Sequence, residues 1–239
     1  MATRARSRSA LGAVSAPCVV NGALEELIDY NALRGERVAT MIAAHVTCPT
    51  LVLGGNQSPD VVDPLKLGAT SLRRRRGGGG LVLLRPDDVW IDWWIPANDP
   101  RWSRDVHVSS VRAGEWWARE LRRHTKEAVS VHAGPLEGDP EFRVVCFAGR
   151  GPGEVFVGDR KTVGLTQWRV REGVLLSTVL HARPTSDVIE YLASVPPGLS
   201  DALDHQGLGS LRLSDPHALL DQLRTSSGPW HFRALRGAP

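Results

Sequence analysis

The sequence predicts an α+β fold, a central mixed and mostly antiparallel sheet flanked by helices. Three observations carry this. Short apolar runs of strand length recur and are broken by glycine and proline turns, as around Val89 to Ile95. Several runs are joined by hairpin-type turns such as Gly158-Asp159-Arg160. Helical patterns fall between them without the regular strand–helix alternation of a doubly wound parallel sheet. A chain of 239 residues suits one large domain. It reads as a disordered basic tail over residues 1–20 and a single domain over 21–239.

Asn21 can cap a helix over Ala23 to Leu33, with Leu24, Leu27 and Ile28 on one face. A second helical piece is expected over Glu36 to His45. Thr50 to Leu53 reads as a buried strand, stopped by Gly54 and Gly55, and Asn56, Gln57 and Ser58 form a polar loop. A short helix is expected over Asp60 to Leu67. Val89 to Ile95 is apolar on both strand faces and reads as an interior strand. Asp92 is the exception, and either a buried partner or a solvated edge must account for it. Val111 to Arg123 reads as a helix with Val111, Trp117 and Leu121 inward. Arg143 to Phe147, Val155 to Val157, Lys161 to Gln167 and Val174 to Leu180 read as strands. Thr185 to Ala193 looks helical, and Ser214 or Asp215 can cap a last helix through Leu223.

A formal charge of +3 fits nucleic acid, an acidic protein or an anionic cofactor equally well. The three cysteines, Cys18, Cys48 and Cys146, are too few and too scattered for a disulfide framework or a paired metal site. That favours a reducing cytoplasm. No run approaches the roughly 18 apolar residues of a membrane span.

The stretch Ser71 to Arg85 concentrates the chemistry: four arginines, Arg73 to Arg76, run into four glycines, Gly77 to Gly80, and an apolar run Leu81 to Leu84 follows. Consecutive N–H groups in such a turn can point into one concavity that holds an anion, and guanidinium groups match phosphate or carboxylate with paired hydrogen bonds. A flexible linker and a nucleic-acid patch remain alternatives for this stretch taken alone.

Three stretches in order resemble the lipoate–protein ligase family, within the wider biotin/lipoate ligase superfamily. They are Leu51 to Pro59 (L-V-L-G-G-N-Q-S-P), Arg73 to Val82 (R-R-R-R-G-G-G-G-L-V) and Gly158 to Gln167 (G-D-R-K-T-V-G-L-T-Q). The resemblance implies a class II biotin/lipoate ligase-like catalytic domain. It implies that lipoate and ATP, with Mg²⁺, form lipoyl-adenylate, and that a lysine of an acceptor lipoyl domain then takes the acyl group. It assigns Arg74 to the nucleotide and the backbone of Gly79, Gly80, Leu81 and Val82 to the adenylate, with Gly77 and Gly78 in the same cofactor-binding loop. Asn56, Gln57 and Gly164 join the binding set, and Lys161 contacts the lipoyl carboxylate and the α-phosphate. An apolar groove is expected from Leu81, Leu83 and the tryptophan strand. Two departures stand out: Leu83 or Leu84 replaces a family histidine, and Gly164-Leu165-Thr166 replaces a G-S-A.

Cys146 stands in a Cys-Phe pair about fifteen residues before Lys161, a spacing similar to that of superfamily transferases that carry an acyl group on cysteine. Arg150 and Lys161 are candidates to lower its pKa. The plain alternative is a small buried residue. Three functions therefore stay open: an ATP-dependent ligase, which leads; a cysteine octanoyl or lipoyl transferase; and a non-catalytic binder of anions or nucleic acid. No membrane partner is expected, and nucleic acid is the least favoured partner.

Overall fold

The fold comes from a computed structural model, which describes residues 25–44, 46–207, Leu219 and Arg233–Ala234. The expected basic tail lies outside the described residues, as does the expected helix after Ser214 except for Leu219, which is helical and buried. β1 (Glu25–Glu26), α1 (Tyr30–Gly35), β2 (Thr40–Ala44) and β3 (Thr50–Leu53) come first. Two single 3-10 turns lead to β4 (Ser71–Arg74); the arginine–glycine loop, β5 (Val82–Leu84) and β6 (Val89–Pro96) follow. Then come α2 (Val106–Leu121), β7 (Val129–Val131), β8 (Val155–Val157), β9 (Arg160–Val170), β10 (Gly173–Leu180), α3 (Leu199–Leu203) and β11 (Arg233–Ala234).

The strands form two sheets. The smaller has the order β1-β4-β3-β5 and the larger β11-β2-β6-β10-β9-β8-β7. In the larger sheet every pairing is antiparallel except β11 with β2. β6 is buried along its whole length between β2 and β10, so the two-faced tryptophan strand is interior, as its composition predicts. One of its faces carries Trp90 and Trp94 against Val52, Leu53 and Leu84 of the smaller sheet. The other carries Ile91, Trp93 and Ile95 against Ala113, Trp116 and Trp117 of α2. Asp105 starts α2 by accepting from the N–H groups of His107 and Val108. Trp116 packs edge-on to both Trp93 and Trp117.

Five local expectations are corrected. The first helix begins after Asp29, whose carboxylate caps Asn31 and Ala32; Leu27 and Ile28 precede it and pack into the core. The second expected helix is β2, because Thr40–Ala44 pairs along β6 and ladder pairing outweighs its helical pattern. The third breaks into Pro59–Val61 and Pro64–Lys66, since proline cannot sit inside a helix. Arg143 to Phe147 is not a strand but two single turns, Pro140–Val144 and Cys146–Ala148. The piece after Thr185 is a 3-10 stretch, Ser186–Tyr191. No helix among the described residues is long and apolar enough to cross a membrane.

Candidate active site

A cavity opens between the two sheets. It contains about 440 Å³ of empty space, part of it open to solvent. Val52, Val82 and Leu84 wall it from the smaller sheet; Trp90, Gly164, Thr166, Ser177 and Val179 wall it from the larger. The apolar groove is therefore present, but Val82 and Leu84 face it, where Leu81 and Leu83 were expected. Successive side chains on a strand face opposite ways, so the error is one residue of phase. Leu81 and Leu83 line a smaller space with Phe147 and His181 on the other side. That places His181 near Leu81 and Leu83.

The arginine–glycine loop connects β4 to β5, and β3 lies between those two strands in the sheet. The loop thus spans a strand instead of joining neighbours. Its four arginines diverge. Arg76 is exposed, ion-paired with Glu26 and stacked on Tyr30. Arg74 donates to the carbonyls of Gly54, Gly55 and Gln57, so it pins the neighbouring turn. Arg73 is buried. Only Arg75 lines the cavity. The run of arginines thus turns alternate side chains inward, with Arg73 and Arg75 buried and Arg76 exposed.

Arg75 is buried and donates to the carbonyls of Val52, Gly78 and Gly80 at 3.1, 2.8 and 2.7 Å. No carboxylate among the described residues pairs with it. Burial lowers its pKa, while Cys146 and Tyr30 push it back up. A buried cation balanced only by carbonyls is a strong local attractor for a ligand anion.

Gly78 and Gly79 are exposed, and no N–H from Gly77 to Gly80 donates to a protein acceptor among the described residues. Gly79 has φ +88°, and a Cβ there would come within 3.1 Å of the Arg75 guanidinium and 3.8 Å of Cys146 Sγ. The loop, the cation and the thiol therefore meet at one point. Gly80 is required by packing, since its Cβ would lie 2.5 Å from the Arg143 carbonyl. Gly164 is required because a Cβ would strike the Phe147 ring at 2.6 Å. Gln57 bridges Gly54 N and the Val144 carbonyl, which makes it a brace for the loop; Asn56 is exposed beside it.

Lys161 does not line the cavity. Its ammonium is buried 2.6 Å from Glu154 Oε1, and it donates to the carbonyls of Cys146 and Gly149. Glu154 explains this. Burial raises its pKa and Lys161 opposes the shift, so the lysine is held where the carboxylate needs it. The lysine thus grips the Cys146–Gly149 turn from behind. The hydrogen bonds Leu81 N to Val144 O and Cys146 N to Leu81 O fix the same turn to the glycine loop. Cys146, the free cysteine among the described residues, is left half-buried on the cavity wall. Arg150 is not its partner; that guanidinium stacks on Phe156 at 4.6 Å.

Sequence reasoning missed Arg75 as the cavity cation, and it missed a polar row in which Thr166 and Ser177 line the cavity and Asp92 lies buried beside Ser177. Thr166, Ser177 and Asp92 stand directly opposite one another across β9, β10 and β6. The one available signal was Asp92 itself, a carboxylate within an apolar strand. No group of three His, Cys, Asp or Glu among the described residues could hold a metal ion.

No protein-family model matches the sequence, and no curated protein matches it. Solved structures do match the fold. A lipoate-protein ligase A bound with ATP superposes with a TM-score of 0.61 at 14% identity, over 81% of this chain and 75% of that one. A T. acidophilum lipoate protein ligase candidate with bound lipoic acid gives 0.57 at 14% identity, over 84% of this chain and 81% of that one. A bipartite lipoate protein ligase studied with its E2 lipoyl domain, from Thermoplasma acidophilum, gives 0.60 at 13% identity, over 81% and 74%. The chain has the fold of these lipoate–protein ligases.

Proposed function

We propose that this chain is a lipoate–protein ligase-like enzyme. It holds the hydrocarbon part of lipoate or octanoate between its sheets, activates the carboxylate with ATP and delivers the acyl group to a lysine of a lipoyl domain. The observation that carries this reading is the junction at Gly79, where an apolar cavity, the buried Arg75 and unpartnered backbone N–H groups meet. The ATP-bound, lipoate-bound and lipoyl-domain-paired neighbours support it.

In the first step a carboxylate oxygen attacks the α-phosphorus and pyrophosphate leaves. Charge gathers on the phosphoryl oxygens, and fixed N–H dipoles stabilise it without reorganising. Gly77 to Gly80 supply those dipoles, and Arg75 holds the carboxylate end of the chain. Lys161 would exchange Glu154 for the substrate oxygens. Mg²⁺, which favours phosphate oxygens and water over a dedicated protein cage, would come with the triphosphate and neutralise part of its charge. In the second step the acceptor amine attacks the acyl carbon, AMP leaves, and the amine proton passes to solvent.

A second reading rests on the placement of Cys146 on the cavity wall. Its thiolate would attack the thioester carbonyl of an octanoyl carrier protein and release the carrier thiol. The acceptor amine would then displace Cys146 and return the proton to sulfur. One experiment separates the two. Pyrophosphate release from ATP and lipoate, unchanged in Cys146→Ser, supports the ligase. A thioester adduct by intact mass, lost in Cys146→Ser and formed without ATP, replaces it with the transferase. Neither signal overturns both.

A further inference from the structure

We propose that Asp92 and Ser177 form a hydrogen-bonding subsite in the acyl cavity, which selects a chain carrying a hydroxyl group over a plain saturated chain. This rests on the acyl-binding reading above and names its substrate class more narrowly.

Asp92 is fully buried, on the β6 face that also presents Trp90 to the cavity. Ser177 lies directly opposite it on β10, and Thr166 directly opposite Ser177 on β9. Opposed residues on one sheet face have Cβ atoms about 5 Å apart. Ser177 and Thr166 both line the cavity. The row therefore runs from the cavity wall into the sheet, with the carboxylate at its inner end.

The fold leaves half of this carboxylate unexplained. Oδ1 accepts from the Trp90 indole N–H at 2.6 Å, but Oδ2 has no hydrogen-bond partner. No cation among the described residues forms an ion pair with Asp92. Asp92 helps to raise the pKa of the Tyr30 phenol, which is neutral at ordinary pH. An unsatisfied buried oxygen is costly, and an aliphatic side chain at this strand position would avoid that cost. A ligand group that reaches Oδ2 removes it.

The chemistry of the carboxyl narrows the ligand group. Burial pushes the Asp92 carboxyl up to about 7; Trp90, Ser177 and Thr178 pull it back, yet none of them hydrogen-bonds to Oδ2. At neutral pH it both donates and accepts. A hydroxyl does the same, whereas a cationic group would require the fully ionised acid in a dry wall.

The test is calorimetric titration of the whole chain with octanoic acid and with a set of monohydroxy octanoic acids. At least one hydroxy acid should bind roughly tenfold more tightly than octanoic acid, the size of one good net hydrogen bond. Asp92→Leu should reverse that order, Asp92→Asn should keep it, and Ser177→Ala should weaken it. Octanoic acid binding tightest to the natural chain, with the same order in Asp92→Leu or in Ser177→Ala, overturns the subsite alone. No binding by any of the acids overturns the acyl cavity and the subsite together.

Discussion

The ammonium of Lys161 sits 2.6 Å from Oε1 of Glu154, and both side chains are buried. A lysine expected at the reacting atoms is therefore also the partner of an internal carboxylate. Removing it leaves Glu154 uncompensated, which typically costs about 3–5 kcal/mol. Lys161→Met should lower the unfolding free energy by about that amount, and adding Glu154→Gln should restore most of it. Denaturant unfolding of the three proteins measures this. Lys161→Met with unaltered stability would refute the structural role. Loss of pyrophosphate release in the restored double variant assigns Lys161 to the chemistry as well.

The two ends of the glycine run should respond differently. A Cβ at Gly78 meets nothing within 4 Å, whereas one at Gly80 lies 2.5 Å from the Arg143 carbonyl. Gly78→Val should fold with a normal melting temperature and lose affinity for a non-hydrolysable lipoyl-adenylate analogue, because the branched side chain blocks approach to the N–H groups. Gly80→Ala should be destabilised. Full affinity in a folded Gly78→Val would remove the anion cradle.

Arg74 and Arg75 should separate by role. Arg74→Lys replaces a fork that holds three carbonyls of the Gly54–Gln57 turn with a point charge, so its main effect should be a lower melting temperature. Arg75→Met should abolish binding of octanoate. Calorimetry with octanoate on both variants decides. Tight binding to Arg75→Met would contradict its assignment as the cavity cation.

Asp92 should make stability depend on pH. Its pKa is raised from 3.8 to about 7, so the folded chain holds a proton that the unfolded chain has lost between those values. Stability contributed by this site is full below about 4 and declines as pH rises to about 7. At 1.36 kcal/mol per unit, the decline is on the order of 4 kcal/mol. Asp92→Asn should therefore gain stability relative to the natural chain as pH rises from 4 to 8, with little further change above. A pH-independent difference would show that the carboxyl is not protonated in the fold.

The motif-bearing stretches were legible because each contains residues with narrow uses. Gly77 to Gly80 signalled a turn whose N–H groups can face one concavity, and the apolar character of both faces of Val89 to Ile95 signalled an interior strand. What sequence could not fix was phase and pairing. Val82 rather than Leu81 faces the cavity because β5 registers against β3, a long-range fact. Arg75 rather than Arg74 is the cavity cation because of how β4 registers against β3. Lys161 points away because Glu154 is buried behind it, and no local spacing shows that a residue on β9 and one just before β8 will share a dry pocket. β2 reads as a helix until its ladder to β6 is known.

The central claim is acyl transfer to a lipoyl domain. The most direct measurement is the intact mass of a lipoyl domain after incubation with this chain, lipoate, ATP and Mg²⁺. The account predicts one lipoyl adduct on the acceptor lysine, absent without the chain and lost with Arg75→Met. An unmodified acceptor under these conditions, and equally with octanoyl carrier protein as donor, would contradict it.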